Sequence, residues 1–366
     1  MNTLIRYSEE FGQSPWVDNI RRDWLDDGTL AALVETGVRG VTSNPSIFAK
    51  AFATSSAYDA AVAEMGSKDP EVIFEALAVR DVRDACDVLE GVYTSSEGRG
   101  RYRDGFVSLE VSPRLAHDSA ATVEAATRLF AEVARPNVMI KIPATRAGLV
   151  AIRDVLGRGI NVNVTLIFSL ERYSEVLEAW TAGLEEAASA GHDLRTIASV
   201  ASFFVSRVDT AIDPLLDETS PLRGQLAVAQ VAAAYEIYQE WVATPRVAAL
   251  LDAGAQVQRP LWASTSTKNP AYEELLYVDS LVAPETVNTM PDATLNQAAH
   301  HGHPETSRLL DPVTRAKTAG LLNEIPAAVS LAEVTQRLED EGVASFTAAY
   351  DELLDTISAK LNSPTR

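Results

Sequence analysis

The chain has 366 residues, of which 46% are hydrophobic and 7% aromatic, as is ordinary for a globular protein of enzyme size. Its formal net charge of −20 disfavours nucleic acid and anionic membranes as partners. The single cysteine, Cys86, excludes a disulfide framework and a cysteine metal site. The N-terminus lacks the layout of a secretory signal, and no apolar run approaches the ~20 residues that span a bilayer, so we expect a cytoplasmic protein.

Strand-like segments recur along the chain, and each is followed by helix-like sequence. In chain order they cover residues 15–20, 38–44, 105–112, 138–144, 160–169, 197–206, 259–265 and 278–290. Alternation of this kind indicates parallel strands joined by helical crossovers. The sequence therefore predicts an α/β protein, a (β/α)₈ TIM barrel with additional C-terminal helices, in which residues 1–366 form a single domain.

An open, doubly wound sheet is the alternative architecture. It is disfavoured because no G-x-G-x-x-G motif follows the first strand. No low-complexity linker divides the chain. We interpret the Gly-, Ser- and Arg-rich stretch at 94–105 as a solvated connector with no role in binding.

Alternation along the strands predicts which side chains enter the barrel, because successive side chains point to opposite faces. Polar or ionisable groups dominate the inward set on the third to sixth strands, which comprises Ser108, Glu110, Ser112, Met139, Lys141, Asn161, Asn163, Thr165, Ser202 and Phe204. On the seventh strand one face carries Trp262, Ser264, Ser266 and Lys268. Each buried polar group would cost a few kcal/mol if unpaired, so we expect a polar pocket at the C-terminal mouth of the barrel. A self-satisfied polar network is the alternative.

Lys141 is the most informative of these residues, since strand interiors rarely carry a lysine. An inward lysine either pairs with an acid or serves as a nucleophile. Removal from water favours the neutral amine, which can attack a ketone and form a Schiff base. The resulting iminium withdraws electrons from the adjacent carbon–carbon bond, as aldol chemistry requires. Asp18 and Glu110 would supply the proton transfers, although a carboxylate at a strand end is often only a helix cap or a lysine partner.

Metal catalysis is the other use of carboxylates at a barrel mouth. None of the five histidines lies in a predicted strand. The cluster HHGH at 300–303 has metal-binding spacing, but no acid or thiol nearby completes a ligand set, so we interpret it as a solvated helix end and expect no metal site.

Six motifs in order carry a specific resemblance: GVTSNPSIF, SLEVSPRLAHD, NVMIKIPAT, INVNVTLIFS, SFFVSRVD and LWASTSTKNP. From about Ser8 to the C-terminus the chain resembles the transaldolase family, in the long bacterial form typified by GQSPWVDNIRRD near the start. The resemblance implies a (β/α)₈ barrel with the Schiff-base lysine on the fourth strand. That residue here is Lys141, which strand alternation also turns inward.

The resemblance also implies roles for other residues. Asp18 would be the acid/base of carbon–carbon cleavage, Glu110 the acid/base that acts through a water on the carbinolamine, and Thr165 the residue that positions this water. Three side chains would hydrogen-bond the dihydroxyacetone unit of the substrate: Asn44, Asn163 and Ser202.

A phosphate clamp is implied for Arg207, Ser266 and Lys268, and such a clamp would hold an anion against the acidic background. Shorter family members tend to have arginine where Lys268 stands, and lysine lacks the planar fork of arginine. A salt bridge with Asp209 or Asp213 is the alternative for Arg207.

The implied reaction transfers dihydroxyacetone from sedoheptulose 7-phosphate to glyceraldehyde 3-phosphate, giving erythrose 4-phosphate and fructose 6-phosphate in the non-oxidative pentose phosphate pathway. No cofactor is expected, the partners are small sugar phosphates, and the protein is expected to be a monomer or a homodimer.

One alternative is a fructose 6-phosphate aldolase. Phe204 disfavours it, because aldolase-type relatives tend to carry a tyrosine there. A non-catalytic sugar-phosphate-binding barrel is the other alternative.

Overall fold

The protein is described by a computed structural model that covers residues 2–97 and 102–362. Eight parallel strands follow one another in chain order, and the last pairs with the first to close a barrel. The predicted TIM barrel is therefore confirmed. The strands are β1 Gln13–Val17, β2 Gly40–Val41, β3 Phe106–Glu110, β4 Val138–Pro143, β5 Val162–Ile167, β6 Ser199–Phe204, β7 Arg259–Ala263 and β8 Thr286–Met290.

Helices surround the barrel and follow its last strand. In the described part of the chain they are α1 Thr3–Glu9, α2 Arg22–Asp26, α3 Thr29–Glu35, α4 Pro45–Thr54, α5 Asp59–Glu64, α6 Pro70–Val88, α7 Glu90–Ser95, α8 Ser119–Val133, α9 Arg146–Gly157, α10 Leu170–Ser189, α11 Ser206–Ile212, α12 Leu226–Val242, α13 Pro245–Asp252, α14 Leu276–Asp279, α15 Asp292–His301, α16 Ser307–Leu310, α17 Pro312–Gly320 and α18 Leu331–Asn362. None of these helices has the length and apolarity to cross a membrane.

Two strands are much shorter than predicted. β2 has only two residues, and a Cβ at Gly40 would lie 2.3 Å from the Trp16 ring, so the close approach of β1 requires glycine there. The predicted eighth segment, 278–290, begins with the last residues of α14 and reaches the strand only at Thr286. An apolar run that joins a short helix to a strand cannot be divided by periodicity alone.

Strand alternation fails at the end of β7. The Trp262 ring lies on the outer face of the barrel, 6.4 Å from Phe203, which itself packs against Tyr173 of α10. The strand ends at Ala263, and Ser264 has a left-handed φ of 55°. The prediction that Trp262 shares a face with the residues that follow is therefore wrong, because the backbone changes direction between them.

β5 carries a second irregularity, at the barrel mouth. Its register against β6 shifts between Val164 and Ile167, and Leu166 has a left-handed φ of 59°. The Leu166 side chain lies beside Gly342 of α18, where an added Cβ would be 3.0 Å from it. Regular alternation along β5 would turn Leu166 toward the surrounding helices, as it does Val162 and Val164, but Leu166 instead meets the C-terminal helix across the mouth.

Ion pairs and hydrogen bonds hold α18 over the C-terminal end of the barrel. Tyr350 donates to Glu71 of α6 over 2.8 Å, and Arg114 donates to Asp351 over 2.7 Å. Near the start of the helix, Glu339 pairs with Arg172 at 3.3 Å. The predicted additional C-terminal helices are confirmed, and the last of them, α18, packs over the mouth of the barrel.

The opposite, N-terminal end of the barrel contains a buried ion pair. Arg259, 2% exposed, donates to Asp104 over 2.8 Å, to Ser14 Oγ over 2.6 Å and to the carbonyl of Thr286 over 2.6 Å. Tyr102 stacks over its guanidinium at 3.9 Å. We call Arg259, Asp104, Ser14 and Tyr102 the basal cluster.

The basal cluster corrects the interpretation of 94–105 as a solvated connector. Residues 98–101 of that stretch lie outside the described part of the chain, but Glu90–Ser95 is a helix and Asp104 is only 8% exposed. Asp104 is drawn into the barrel base by Arg259, a partner far along the chain whose position the sequence does not reveal.

Candidate active site

A polar cavity of about 190 Å³ opens at the C-terminal mouth of the barrel. Most of the predicted site residues line it: Asp18, Asn44, Lys141, Thr165, Ser202, Phe204, Arg207, Ser266 and Lys268. The other two, Glu110 and Asn163, lie against lining residues. The structure thus brings the complete predicted set together, at the end of the barrel where such folds place their binding sites.

Lys141 lies on β4 at the same level as its neighbours on the adjacent strands, since it is paired in register with Glu110 of β3 and Asn163 of β5. Its side chain is 5% exposed. The ammonium nitrogen donates to the carbonyl of Ser43 over 3.0 Å and lies 3.1 Å from Glu110 Oε2. The amine is therefore fixed between a carboxyl group and the cavity.

The two carboxyl groups are both affected by burial. Burial raises the pKa of Glu110, and the neighbouring Lys141 opposes this rise. Burial also raises the pKa of Asp18, while Lys141 and a hydrogen bond from Thr42 oppose it. That bond runs from Thr42 Oγ1 to Asp18 Oδ1 over 2.6 Å. Carboxyl groups whose pKa values are raised by burial in a cleft are candidates for proton transfer.

A network of neutral polar groups lies beside the lysine. Asn163 donates to Ser108 Oγ over 2.9 Å and accepts from Ser202 Oγ over 2.7 Å. Ser202 lines the cavity and uses its hydrogen on Asn163, so toward a ligand its oxygen is an acceptor. Thr165 Oγ1 is buried and has no hydrogen-bond partner among residues 2–97 and 102–362, so it remains available to a water or a reacting oxygen.

The two polar atoms of the Asn44 side chain have different roles. It caps α4, where its Oδ1 accepts from the backbone of Ile47 over 3.0 Å. The amide nitrogen of Asn44 is not used by this cap and can donate into the cavity that the residue lines.

Arg207 and Lys268 add two further cations to the lining of the cavity. Arg207 is partly buried, and burial lowers its pKa. Its guanidinium lies 5.4 Å from the Phe204 ring, and within the described ranges no carboxylate comes within 4.0 Å of it. Asp209 and Asp213, the alternative partners, instead accept from tyrosine hydroxyls over 2.7 and 2.6 Å. The salt-bridge alternative for Arg207 is therefore wrong.

Lys268 is the most exposed member of the cationic group. Its ammonium donates to Ser266 Oγ over 2.6 Å, so the two residues form one unit beside Arg207. A half-buried guanidinium and a lysine–serine pair can together bind a phosphate. Because Lys268 is exposed, we expect solvent to screen its contribution more than that of Arg207.

Two features of the site were missed by reasoning from the sequence. Thr42 was not singled out, although its position two residues before Asn44 at the end of β2 could have indicated it. Phe346 of α18 also lines the cavity, and its ring lies 5.6 Å from Lys141 Nζ. Helical periodicity marks Phe346 as inward-facing but does not show that it faces a cavity.

Comparison with known proteins places the chain in a family. The family model described as Transaldolase/Fructose-6-phosphate aldolase matches residues 15–357. The chain belongs to the transaldolase family. Transaldolase 1 of Streptomyces coelicolor is 51% identical over 96% of this chain and 93% of its own length. The transaldolase of Mycolicibacterium smegmatis is 48% identical over 96% of both chains.

Membership of the transaldolase family confirms the resemblance that the six motifs carried, and the relatives named as transaldolases are transferases.

The histidines lie away from this site. His300 and His301 end α15, and like His303 they are exposed. Among the described residues no group of three histidine, cysteine or acidic side chains could hold a metal ion.

Proposed function

We propose that this member of the transaldolase family transfers a dihydroxyacetone unit from sedoheptulose 7-phosphate to glyceraldehyde 3-phosphate, giving erythrose 4-phosphate and fructose 6-phosphate. This reaction belongs to the non-oxidative pentose phosphate pathway. One observation carries the proposal: a buried lysine amine, Lys141, lies 3.1 Å from a buried carboxyl group and faces a cavity that also contains Arg207, a guanidinium with no carboxylate of the described residues within 4.0 Å.

The first stage forms the Schiff base. Glu110 takes a proton from the Lys141 ammonium, and the resulting neutral amine attacks the ketone carbon, giving a carbinolamine, which loses water to form the iminium. Glu110 lies 3.1 Å from the amine, and the raised pKa of this carboxyl group suits it to carry a proton between nitrogen and the departing oxygen. The unpartnered hydroxyl of Thr165 supports a role in positioning the water of this stage.

The second stage breaks the carbon–carbon bond. Asp18, as a carboxylate, takes the proton of the hydroxyl next to the scissile bond, the bonding electrons move into the iminium to give an enamine, and the aldehyde leaves. The enamine then attacks the incoming aldehyde, Asp18 returns the proton, and water hydrolyses the new iminium to release fructose 6-phosphate and the amine of Lys141. The iminium serves as the electron sink, so these steps require no cofactor.

Substrate contacts follow from the polarity of the lining. The Asn44 amide and the Ser202 oxygen, which Asn163 orients, would hydrogen-bond the hydroxyls of the dihydroxyacetone unit. Arg207, with Ser266 and Lys268, would bind the phosphate at the other end.

Reductive trapping tests the proposal. The protein is treated with borohydride in the presence of fructose 6-phosphate, and peptides are analysed by mass spectrometry. We expect one reduced adduct on Lys141 and none in a Lys141→Ala control. An unmodified Lys141 in a protein that still binds the sugar phosphate would instead support the non-catalytic binding barrel.

A fructose 6-phosphate aldolase is the second candidate, because the matched family description includes this activity. Phe204 favours transfer, since it offers no hydroxyl where the resemblance places tyrosine in aldolase-type relatives. The test is kinetic. Free dihydroxyacetone that forms as fast as transfer product with an acceptor present would favour the aldolase.

We further propose that residues 1–366 form one domain, found in the cytoplasm as a monomer or a homodimer. The ion pairs and hydrogen bonds between α18 and the barrel support a single domain. A single cooperative unfolding transition would agree with one domain, and two separate transitions would contradict it. Sedimentation equilibrium would distinguish the monomer from the homodimer and would exclude both if the mass were larger.

A further inference from the structure

One face of α18 is directed at the mouth of the barrel. Gly342, Phe346 and Tyr350 recur at four-residue spacing, so they lie on the same side of the helix. Gly342 lies beside Leu166 of β5, Phe346 lines the cavity, and Tyr350 donates to Glu71 over 2.8 Å. The absence of a side chain at position 342 allows the helix to approach, and Tyr350 fixes it one turn beyond Phe346.

Phe346 is a buried residue of the cavity lining, close to the lysine. Phe346 is 4% exposed, its ring centroid is 5.6 Å from Lys141 Nζ, and both residues line the cavity. The ring offers no acid or base. Besides the cation–π contact with the ammonium of Lys141, the ring acts through the space it occupies and the solvent it displaces.

The enamine of the proposed mechanism has two competing fates. In transfer, its nucleophilic carbon bonds to the carbonyl carbon of the acceptor. In the side reaction, that carbon takes a proton from a donor such as water, which gives the iminium of dihydroxyacetone. One further water then hydrolyses the iminium, releasing dihydroxyacetone and the free amine of Lys141. Access of bulk water to the enamine thus sets the ratio of the two fates.

We propose that Phe346 is a specificity-determining residue that covers the enamine on Lys141 and so favours transfer over release of free dihydroxyacetone. This inference rests on the proposed function, because it concerns the intermediate of that reaction. It also assigns a role in the reaction to α18, which contributes no proton donor or acceptor to the Schiff base.

The test measures the ratio of two initial rates, the formation of free dihydroxyacetone and the formation of erythrose 4-phosphate, with glyceraldehyde 3-phosphate present. In Phe346→Ala we expect this ratio to rise at least about fivefold, because the ring no longer displaces water from the cavity. Leu353→Ala is the matched control. Leu353 is a fully buried residue seven positions along the same helix, outside the cavity, so its truncation loosens α18 without opening the site.

The outcomes separate the inference from the proposed function. A raised ratio in Phe346→Ala, with an unchanged ratio in the control, supports the inference. An equal rise in both variants, or none in either, overturns it and leaves the proposed function standing. No transfer by the unaltered protein overturns both. If Phe346→Ala does not fold, Phe346→Leu replaces it, and a ratio equal to that of the unaltered protein counts against shielding by the ring.

Discussion

The barrel contains a buried charge pair at each end, and the two differ in their surroundings. At the N-terminal end Arg259 and Asp104 lie 2.8 Å apart, and at the C-terminal end Lys141 and Glu110 lie 3.1 Å apart. Arg259 has further partners in Ser14 and a backbone carbonyl, as well as an aromatic ring over its face. Its hydrogen-bonding capacity is directed entirely into the protein.

The C-terminal pair instead borders an open cavity. Lys141 has one additional acceptor, the carbonyl of Ser43, and the hydroxyl of Thr165 on the next strand has no partner in the described chain. A buried pair whose donors are all satisfied is a structural element, whereas a pair beside unsatisfied groups and a cavity is available for chemistry. The comparison predicts that substitutions at the two ends will separate stability from activity.

The largest effect is expected at Lys141. Lys141→Ala should reduce turnover by at least about a thousandfold, because it removes the buried amine that forms the Schiff base. The fold should persist, since loss of the cation removes the group that opposes the raised pKa of Glu110, and this carboxyl can then be buried with its proton. Activity assays and circular dichroism check the two parts. Measurable turnover near that of the unaltered protein would contradict the mechanism.

The basal cluster should show the reverse pattern. Asp104→Asn leaves the buried Arg259 cation without its counter-charge, which should cost roughly 3–5 kcal/mol of unfolding free energy. Urea denaturation measures the loss. The value of kcat/KM per folded molecule should stay within about twofold, as expected of a substitution distant from the site. A large loss of kcat/KM with unchanged stability would break the distinction between the two ends.

Within the C-terminal site, Arg207 and Lys268 are expected to contribute unequally. Arg207→Ala should lower kcat/KM for glyceraldehyde 3-phosphate by roughly 10- to 150-fold, the value of a charged hydrogen bond of about 1.5–3 kcal/mol. Lys268→Ala should cost less because its ammonium is exposed. Unphosphorylated glyceraldehyde is the control acceptor. With this acceptor, neither substitution should lower the kcat/KM for the acceptor, because there is no phosphate to bind. Equal losses with both acceptors would exclude a phosphate contact.

The smallest effect is a shift in pH dependence. Asp18 acts as a base in its carboxylate form, so activity falls as pH decreases through its pKa. Thr42→Val removes a hydrogen bond that lowers this pKa, so the acid limb of kcat/KM should move to higher pH. The shift should be on the order of one pH unit, since such a bond contributes about 1.5 kcal/mol and one unit corresponds to about 1.4 kcal/mol. A limb that moves to lower pH would show that another group controls it.

Local pattern predicted the centre of the site well. Alternation along β3 to β6 places Glu110, Lys141 and Asn163 inside the barrel because those strands are regular where the residues stand. Alternation fails where the backbone leaves the regular strand, as at Ser264 with its positive φ.

Long-range partners escaped prediction for a different reason. From the sequence, Asp104 belongs to a polar loop, and only the structure shows that it pairs with Arg259. Phe346 likewise has the pattern of a core residue, and only the structure shows that α18 brings it close to Lys141. In both cases the sequence shows the residue type and periodicity, but only the packing of distant segments shows what the residue meets.

The position of Phe346 in the chain has a consequence for synthesis. Ribosomes make proteins from the N-terminus, so the amine at position 141 emerges about 200 residues before the aromatic ring that covers it. All eight strands also precede α18. All eight strands and the nucleophile are therefore synthesised before the helix that carries Phe346, so the reactive nitrogen exists before the ring that covers it.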